Sequence, residues 1–261
     1  MSENIVLTSV NERGIAEVIL NRPEKNNAYN GDMIIELIKS FEALYKNSSV
    51  RMVIIKGNGK HFQAGADLQW LKEIGNLSQK ENIEVSRKTA LAIRGLTEFP
   101  KPTIAMIHGG CFGGGTGIAA AADIVIASED SIFSISEARW GVMAGIIIPH
   151  LNASIGVRYV RKYALTCERF DASQAKDMGL VHLVCKTGDL ENAVKPIIDT
   201  VVMSNAVHAY VSQSDKGELV IGAGTDDYIS YSQKGSHDIV EGTLNAILEL
   251  YPIFSRMRML R

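Results

Sequence analysis

The chain has 261 residues, 46% hydrophobic and 21% charged, and its 27 Lys+Arg against 29 Asp+Glu leave a net charge of −2. That balance excludes a disordered chain, which would be less apolar and more one-sided in charge. It offers no basic field for a phosphate backbone, and no apolar run reaches the roughly 18 residues that span a bilayer, so neither a nucleic-acid nor a membrane partner is expected. Residues 5–9 and 15–20 are alternating or apolar runs separated by the turn chemistry of residues 11–14, the pattern of a β-hairpin. Asn21-Arg22-Pro23 stops the second run, because proline has no N–H for a ladder. Met33, Ile34, Leu37, Ile38, Phe41 and Leu44 recur at helical spacing and predict an amphipathic helix over residues 30–45. Residues 53–55 predict a short buried strand, closed by Gly57-Asn58-Gly59, and residues 80–99 a second helix. Pro100 and Pro102 bracket a strand at 103–107. A glycine cluster, an alanine-rich helix and a strand at 124–126 follow, then helices at 151–164 and 172–178. Short apolar strands alternating with helices indicate an α/β chain with a largely buried sheet.

Composition shifts near residue 197. Residues 197–261 carry 5 Lys+Arg and 8 Asp+Glu (−3), whereas the first 196 carry 22 and 21 (+1). The tail also changes pattern: residues 208–223 read as a hairpin around Asp215-Lys216-Gly217, and residues 238–250 as one helix stopped by Pro252. Cys111, Cys167 and Cys185 have no metal spacing and cannot all pair. The first residues lack a basic flank followed by an apolar core, so reduced thiols and a cytoplasmic location are expected.

Three features in the middle of the chain point to chemistry. His61-Phe62-Gln63-Ala64-Gly65-Ala66-Asp67-Leu68 follows a buried strand, and its small residues let a ligand approach the backbone. The run from Gly109 to Gly117 leads into a helix whose first N–H groups favour developing negative charge. Two such loops facing each other make an oxyanion hole, often the largest single term in catalysis. Glu137 stands among apolar neighbours, where its charged form is disfavoured, which suits an acid/base. Each has a plainer reading: tight packing or a phosphate loop for the glycines, a surface charge paired with Arg139 for Glu137. Gly115-x-Gly117-x-x-Ala120 also fits a loose dinucleotide fingerprint, but only about two turns of helix separate it from the next strand. His61, His108, His150 and His182 show no metal spacing and read as satisfied structural histidines.

Taken in order, residues 21–28, 61–68, 101–105, 113–123, 133–141 and 171–182 resemble the crotonase (enoyl-CoA hydratase/isomerase) superfamily, over roughly residues 4–195. The resemblance implies a spiral of ββα units, assembled as a homotrimer or a dimer of trimers where the tail permits. It implies an acyl-CoA thioester substrate whose enolate is stabilised by two backbone N–H groups, here those of Ala66 and Gly114. The loops holding Arg22, Lys25 and Ala28, and Ala64, Gly65, Asp67 and Leu68, match the family's CoA-contacting segments. Lys25 is the candidate for a CoA phosphate. No metal or redox cofactor is implied, CoA being part of the substrate.

One departure bears on mechanism. Typical hydratases of the family hold the water with two glutamates twenty positions apart; the second matches Glu137, and the first falls at Gly117. Ser136-Glu137-Ala138-Arg139 resembles bacterial hydratases of branched glutaconyl-CoA thioesters, which also carry Gly at the first position. There the substrate's carboxylate, or a water on another donor, replaces the lost partner. That group is the preferred reading. Alternatives are a single-glutamate double-bond isomerase and a catalytically impaired acyl-CoA-binding protein. Trp70, Trp140, Met143 and Ile146 are candidate pocket walls, or ordinary packing.

The last stretch does not resemble the family's covering helices. Residues 199–224 and Tyr251-Pro252-Ile253-Phe254-Ser255-Arg256 resemble an internal fragment of the β subunit of sarcosine oxidase, without its flavin-binding glycine motif, so no FAD site is inferred. The expected division is therefore a crotonase-like core at 1–196 and an atypical, fused or chimeric segment at 197–261.

Overall fold

The computed structural model describes residues 4–200, 202–204, 209–213 and 219–223. The chain divides into two units, Met1–Ala193 and Val194–Arg261.

The first unit opens with the expected hairpin, β1 (Val6–Val10) and β2 (Ile15–Leu20), paired antiparallel. Asn11 makes the turn, its Oδ1 accepting from the N–H groups of Arg13 and Ile15 at 3.0 Å each. Gly14 completes it at φ +76, with a Cβ there falling 2.3 Å from the Ser49 carbonyl, so no other residue fits. Helix α1 (Gly31–Lys46) begins where the Asn30 side chain caps the N–H of Met33 at 3.0 Å, and it buries Met33, Ile34, Leu37, Phe41 and Leu44. At its far end the buried Lys101 ammonium donates to the Asn47 carbonyl (2.8 Å), where the helix dipole favours a cation.

Strand β3 (Met52–Gly57) is followed by α2 (Leu68–Gly75) and α3 (Gln79–Thr97), then β4 (Thr103–Ile107), β5 (Gly110–Phe112), α4 (Gly114–Ala121), β6 (Ile124–Ser128) and β7 (Ile132–Ser134). The unit closes with α5 (Ile148–Thr166), β8 (Phe170–Asp171), α6 (Ala172–Asp177), β9 (Leu183–Cys185) and the start of α7 (Leu190–Thr200). The main sheet runs β1-β2-β3-β4-β6-β9, parallel from β2 onward, and a smaller sheet runs β5-β7-β8. From β4 onward the chain thus visits the first and the second sheet by turns. Thr103 and Asp123 clamp β4 to β6: the threonine N–H and hydroxyl both donate to Asp123 Oδ2, at 2.8 and 2.7 Å. The core between sheet and helices is mainly apolar, with Phe133 stacked on Phe170 at 5.6 Å.

Several elements depart from the sequence reading. Helix α2 was not expected, because its apolar residues Leu68, Leu71 and Ile74 line a cleft and none of its residues is buried. Strands β5 and β7 have three residues each, too few to show alternation. The helix read at 151–164 extends over Ile148–Thr166 and is interrupted at Gly156, at φ 77 and ψ 153. All four singled-out histidines are held by backbone or hydroxyl partners, as with Gly110 N–H donating to His61 Nδ1 at 2.8 Å.

In the second unit, β10 (Val202–Ser204), β11 (Ala209–Gln213) and β12 (Leu219–Ala223) form an antiparallel sheet. Its β11–β12 pair is the hairpin read at 208–223; the turn between them, and the helix expected at 238–250, lie outside the described residues. Among the described residues no helix is long and apolar enough to cross a membrane.

Candidate active site

The first loop is built by borrowing a strand. Gln63 donates its N–H to Gly110 O (3.1 Å) and accepts from Phe112 N–H (2.8 Å), so the chain after His61 runs beside β5. Gly65, at φ +86, sits against the Phe112 carbonyl, where a Cβ would come within 3.3 Å. Tyr29 and the loop then exchange bonds: Tyr29 N–H to Gly65 O (2.9 Å) and Asp67 N–H to Tyr29 O (2.8 Å). That alternation turns the Ala66 N–H away from Tyr29.

The second loop ends on Gly113, at φ 52 and ψ −119, whose N–H is tied to Ser134 O at 2.9 Å. Helix α4 starts at the next residue. The N–H groups of Ala66 and Gly114 donate to no acceptor among the described residues. A Cβ on Gly65 would lie 3.9 Å from the Gly113 Cα, so the two loops are in contact. Gly114 is also compelled to be glycine, because a Cβ there would meet the Tyr29 ring at 2.6 Å.

Glu137 opens a short 3-10 turn (Glu137–Trp140) after β7. Its Oε1 lies 3.0 Å from where a Cβ on Gly113 would stand, and Ser136 Oγ lies 3.4 Å from the same point. Its Oε2 is buried with no hydrogen-bond partner. Burial raises the carboxyl pKa above the usual range, and the N–H groups of Glu137 and Ser136 pull it partly back. The expected alternative of pairing with Arg139 does not hold: that guanidinium donates to the Cys167 carbonyl at 2.8 Å. Tyr29, near Glu137, is kept neutral by burial and by the glutamate's charge, which both raise its pKa.

The space above Gly117 is occupied. A Cβ on Gly117 would come within 2.2 Å of Ile147 Cγ2 and 3.3 Å of Ile93 Cδ1. The first glutamate of the resemblance is thus absent, and an isoleucine methyl stands in its place.

The remaining candidates fall into two groups. Ala64, Gly65, Ala66 and Leu68 line a cleft of about 430 Å³ together with Tyr29, Gly113, Ser136 and Glu137. Trp140, Met143 and Ile146 line it too, and Trp140 and Met143 are exposed rim rather than core. Arg22, Lys25 and Asp67 line an adjoining groove that shares only Trp70 with the cleft. Arg22 points inward, donating to Ala28 O at 2.5 Å and pairing with Asp67 at 3.1 Å, while Lys25 is exposed and its ammonium has no partner among the described residues. Asp67 in turn caps α2 through the N–H groups of Gln69 and Trp70. Burial opposes its ionisation, but Arg22 and the two capping N–H groups outweigh this and hold its pKa below the usual range. Ala28 lines neither cavity and serves through its carbonyl.

Two residues emerge that sequence reasoning did not single out. Asn27, fully buried at φ 55, donates to the carbonyls of Asn58 (2.8 Å), His61 (2.9 Å) and Phe62 (3.2 Å) and accepts from Arg22 N–H (2.8 Å). Tyr29 backs the oxyanion loop. Both stand in or beside the Asn26-Asn27-Ala28 motif, the one signal available for them. Among the described residues no three His, Cys, Asp or Glu side chains come together to hold a metal ion.

The enoyl-CoA hydratase/isomerase family profile matches residues 10–215. The chain belongs to that family. A crystal structure of an enoyl-CoA hydratase from Shewanella pealeana superposes with a TM-score of 0.73 at 35% identity, covering 75% of this chain and 73% of that one. The peroxisomal Delta(3,5)-Delta(2,4)-dienoyl-CoA isomerase of Arabidopsis thaliana is 36% identical over 199 residues, 72% of each chain. The crotonase fold is therefore shared with both hydratases and isomerases. A separate match bears on the other resemblance: 68 residues, 26% of this chain, are 60% identical to 16% of the sarcosine oxidase subunit beta of Rhodobacter capsulatus.

Proposed function

We propose that this enoyl-CoA hydratase/isomerase hydrates a 2-enoyl-CoA thioester, with Glu137 as its acid/base. The observation that carries the reading is a buried carboxyl, its Oε2 without a partner and its Oε1 beside a loop whose next residue has an unused N–H. Glu137 Oε1 sits 3.0 Å from the Cβ position of Gly113, one residue before Gly114. The thioester oxygen accepts from the N–H groups of Ala66 and Gly114, which hold the negative charge that develops there. Glu137 takes a proton from water as its oxygen bonds to C3, and returns a proton to C2 as the enolate collapses, giving a 3-hydroxyacyl-CoA. Ser136 Oγ gives the water its second hold in place of the missing carboxylate. Lys25 meets a CoA phosphate, and the Arg22–Asp67 pair keeps the loop in position.

Loss of the conjugated enoyl-thioester absorbance follows the reaction directly. Glu137→Gln is expected to lower kcat about 10²–10⁴-fold, the usual range for an acid/base group; full activity in that variant sinks the assignment. A second reading, double-bond isomerisation, is favoured by Ile147 filling the site of the first glutamate at Gly117, because a lone base suffices to move a proton between C2 and C4. Product analysis separates them: a 3-hydroxyacyl-CoA supports hydration, and a shifted double bond supports isomerisation.

A further inference from the structure

The acyl end of the cleft is lined by Leu68, Leu71, Ile74, Val85, Val142 and Met143. No lysine, arginine or histidine lines it among the described residues, and its single ionisable carboxyl is Glu137. Its other polar side chains are neutral, and the Thr89 hydroxyl is already spent on the Val85 carbonyl at 2.9 Å. The corner above Gly117 is closed by the Ile147 and Ile93 methyls, which adds no polar anchor. Arg87 and Arg94 line a different groove, on the outer side of Ser86, Gly145 and Ile146. Arg94 is engaged by Glu98 at 2.7 Å.

We infer that this cleft takes an uncharged, aliphatic or branched acyl chain and rejects one that ends in a carboxylate. The inference rests on the reading of the cleft as an acyl-CoA site, and it narrows the substrate away from the glutaconyl type that the Ser136–Arg139 motif suggests. A terminal carboxylate inside this cleft would lose its hydration without gaining a cation. It would also face the charge of Glu137, and like charges in a poorly hydrated site disfavour each other's ionised form.

The test is calorimetric binding of isovaleryl-CoA, glutaryl-CoA and free CoA to the full chain, none of which requires turnover. Isovaleryl-CoA is expected to bind at least tenfold more tightly than glutaryl-CoA at pH 8. Met143→Lys, which places an ammonium at an exposed position on the rim, is expected to narrow that gap severalfold. Arg87→Ala is expected to leave the gap unchanged. Glutaryl-CoA binding as tightly as isovaleryl-CoA, or losing its affinity in Arg87→Ala, would overturn the inference while leaving the acyl-site reading intact. Neither thioester binding more tightly than free CoA overturns the acyl-site reading and the inference with it.

Discussion

Asn27 holds the site together without touching the chemistry. Its amide is saturated by three carbonyls of residues 58–62 and the Arg22 N–H, in a left-handed conformation that asparagine tolerates. Asn27→Ala strands those groups away from water and is expected to destabilise the fold by roughly 2–4 kcal/mol, read as a shift in denaturant midpoint. Glu137 works in the opposite sense. Its carboxyl pKa is raised by burial, so the folded state holds its proton to higher pH than the unfolded chain does. Stability contributed by this group therefore falls as pH rises from about 4.5 to the raised value, and Glu137→Gln removes the dependence. The melting temperature of the wild type relative to that variant is expected to climb on acidification through the same window. The acid limb of kcat/KM is expected to lie above the ordinary glutamate range. The burial of the Glu137 carboxyl was legible in the sequence because the local cue, a carboxylate among apolar neighbours, is the physical cue. Asn27 was not, because its partners at Asn58, His61 and Phe62 lie more than thirty positions away in the chain.

At the scale of elements, legibility followed burial. The hairpin and α1 bury apolar faces in the core, α3 buries its own against α1 and α4, and hydrophobic spacing records that. Helix α2 turns its apolar side to a cleft, and the three-residue β5 and β7 are defined by ladder bonds to distant strands, so neither leaves a periodic trace. The contact between α4 and the segment before α5 is equally silent in sequence. Gly117→Glu alone is expected not to restore a two-carboxylate site. The added side chain meets Ile147 and overpacks the helix, at a cost of about 1–3 kcal/mol or more. Ile147→Ala on its own opens a cavity at roughly 2–5 kcal/mol. The double variant is expected to be more stable than the sum of the two losses by about 1 kcal/mol or more; strict additivity in thermal denaturation counts against the steric account.

Over the whole molecule, the chain divides into two units, and it carries two separate matches, one to the enoyl-CoA hydratase/isomerase family and one to part of a sarcosine oxidase subunit. The first unit presents Leu165 and Met143 at 82% exposure each. Covering either side chain with a second copy would remove apolar surface from water. Leu165→Ser is expected to lower concentration-dependent light scattering while changing stability by no more than about 0.5 kcal/mol, as for other surface positions; unchanged scattering rules out this side chain as a contact. The isoleucine seated over Gly117 also shapes descent. A lineage carrying this pair does not acquire a carboxylate at position 117 in one substitution, since the isoleucine has to leave first and its departure opens the floor of the cleft. Glu137 is thereby kept as the cleft's one carboxylate among the described residues by packing as well as by sequence.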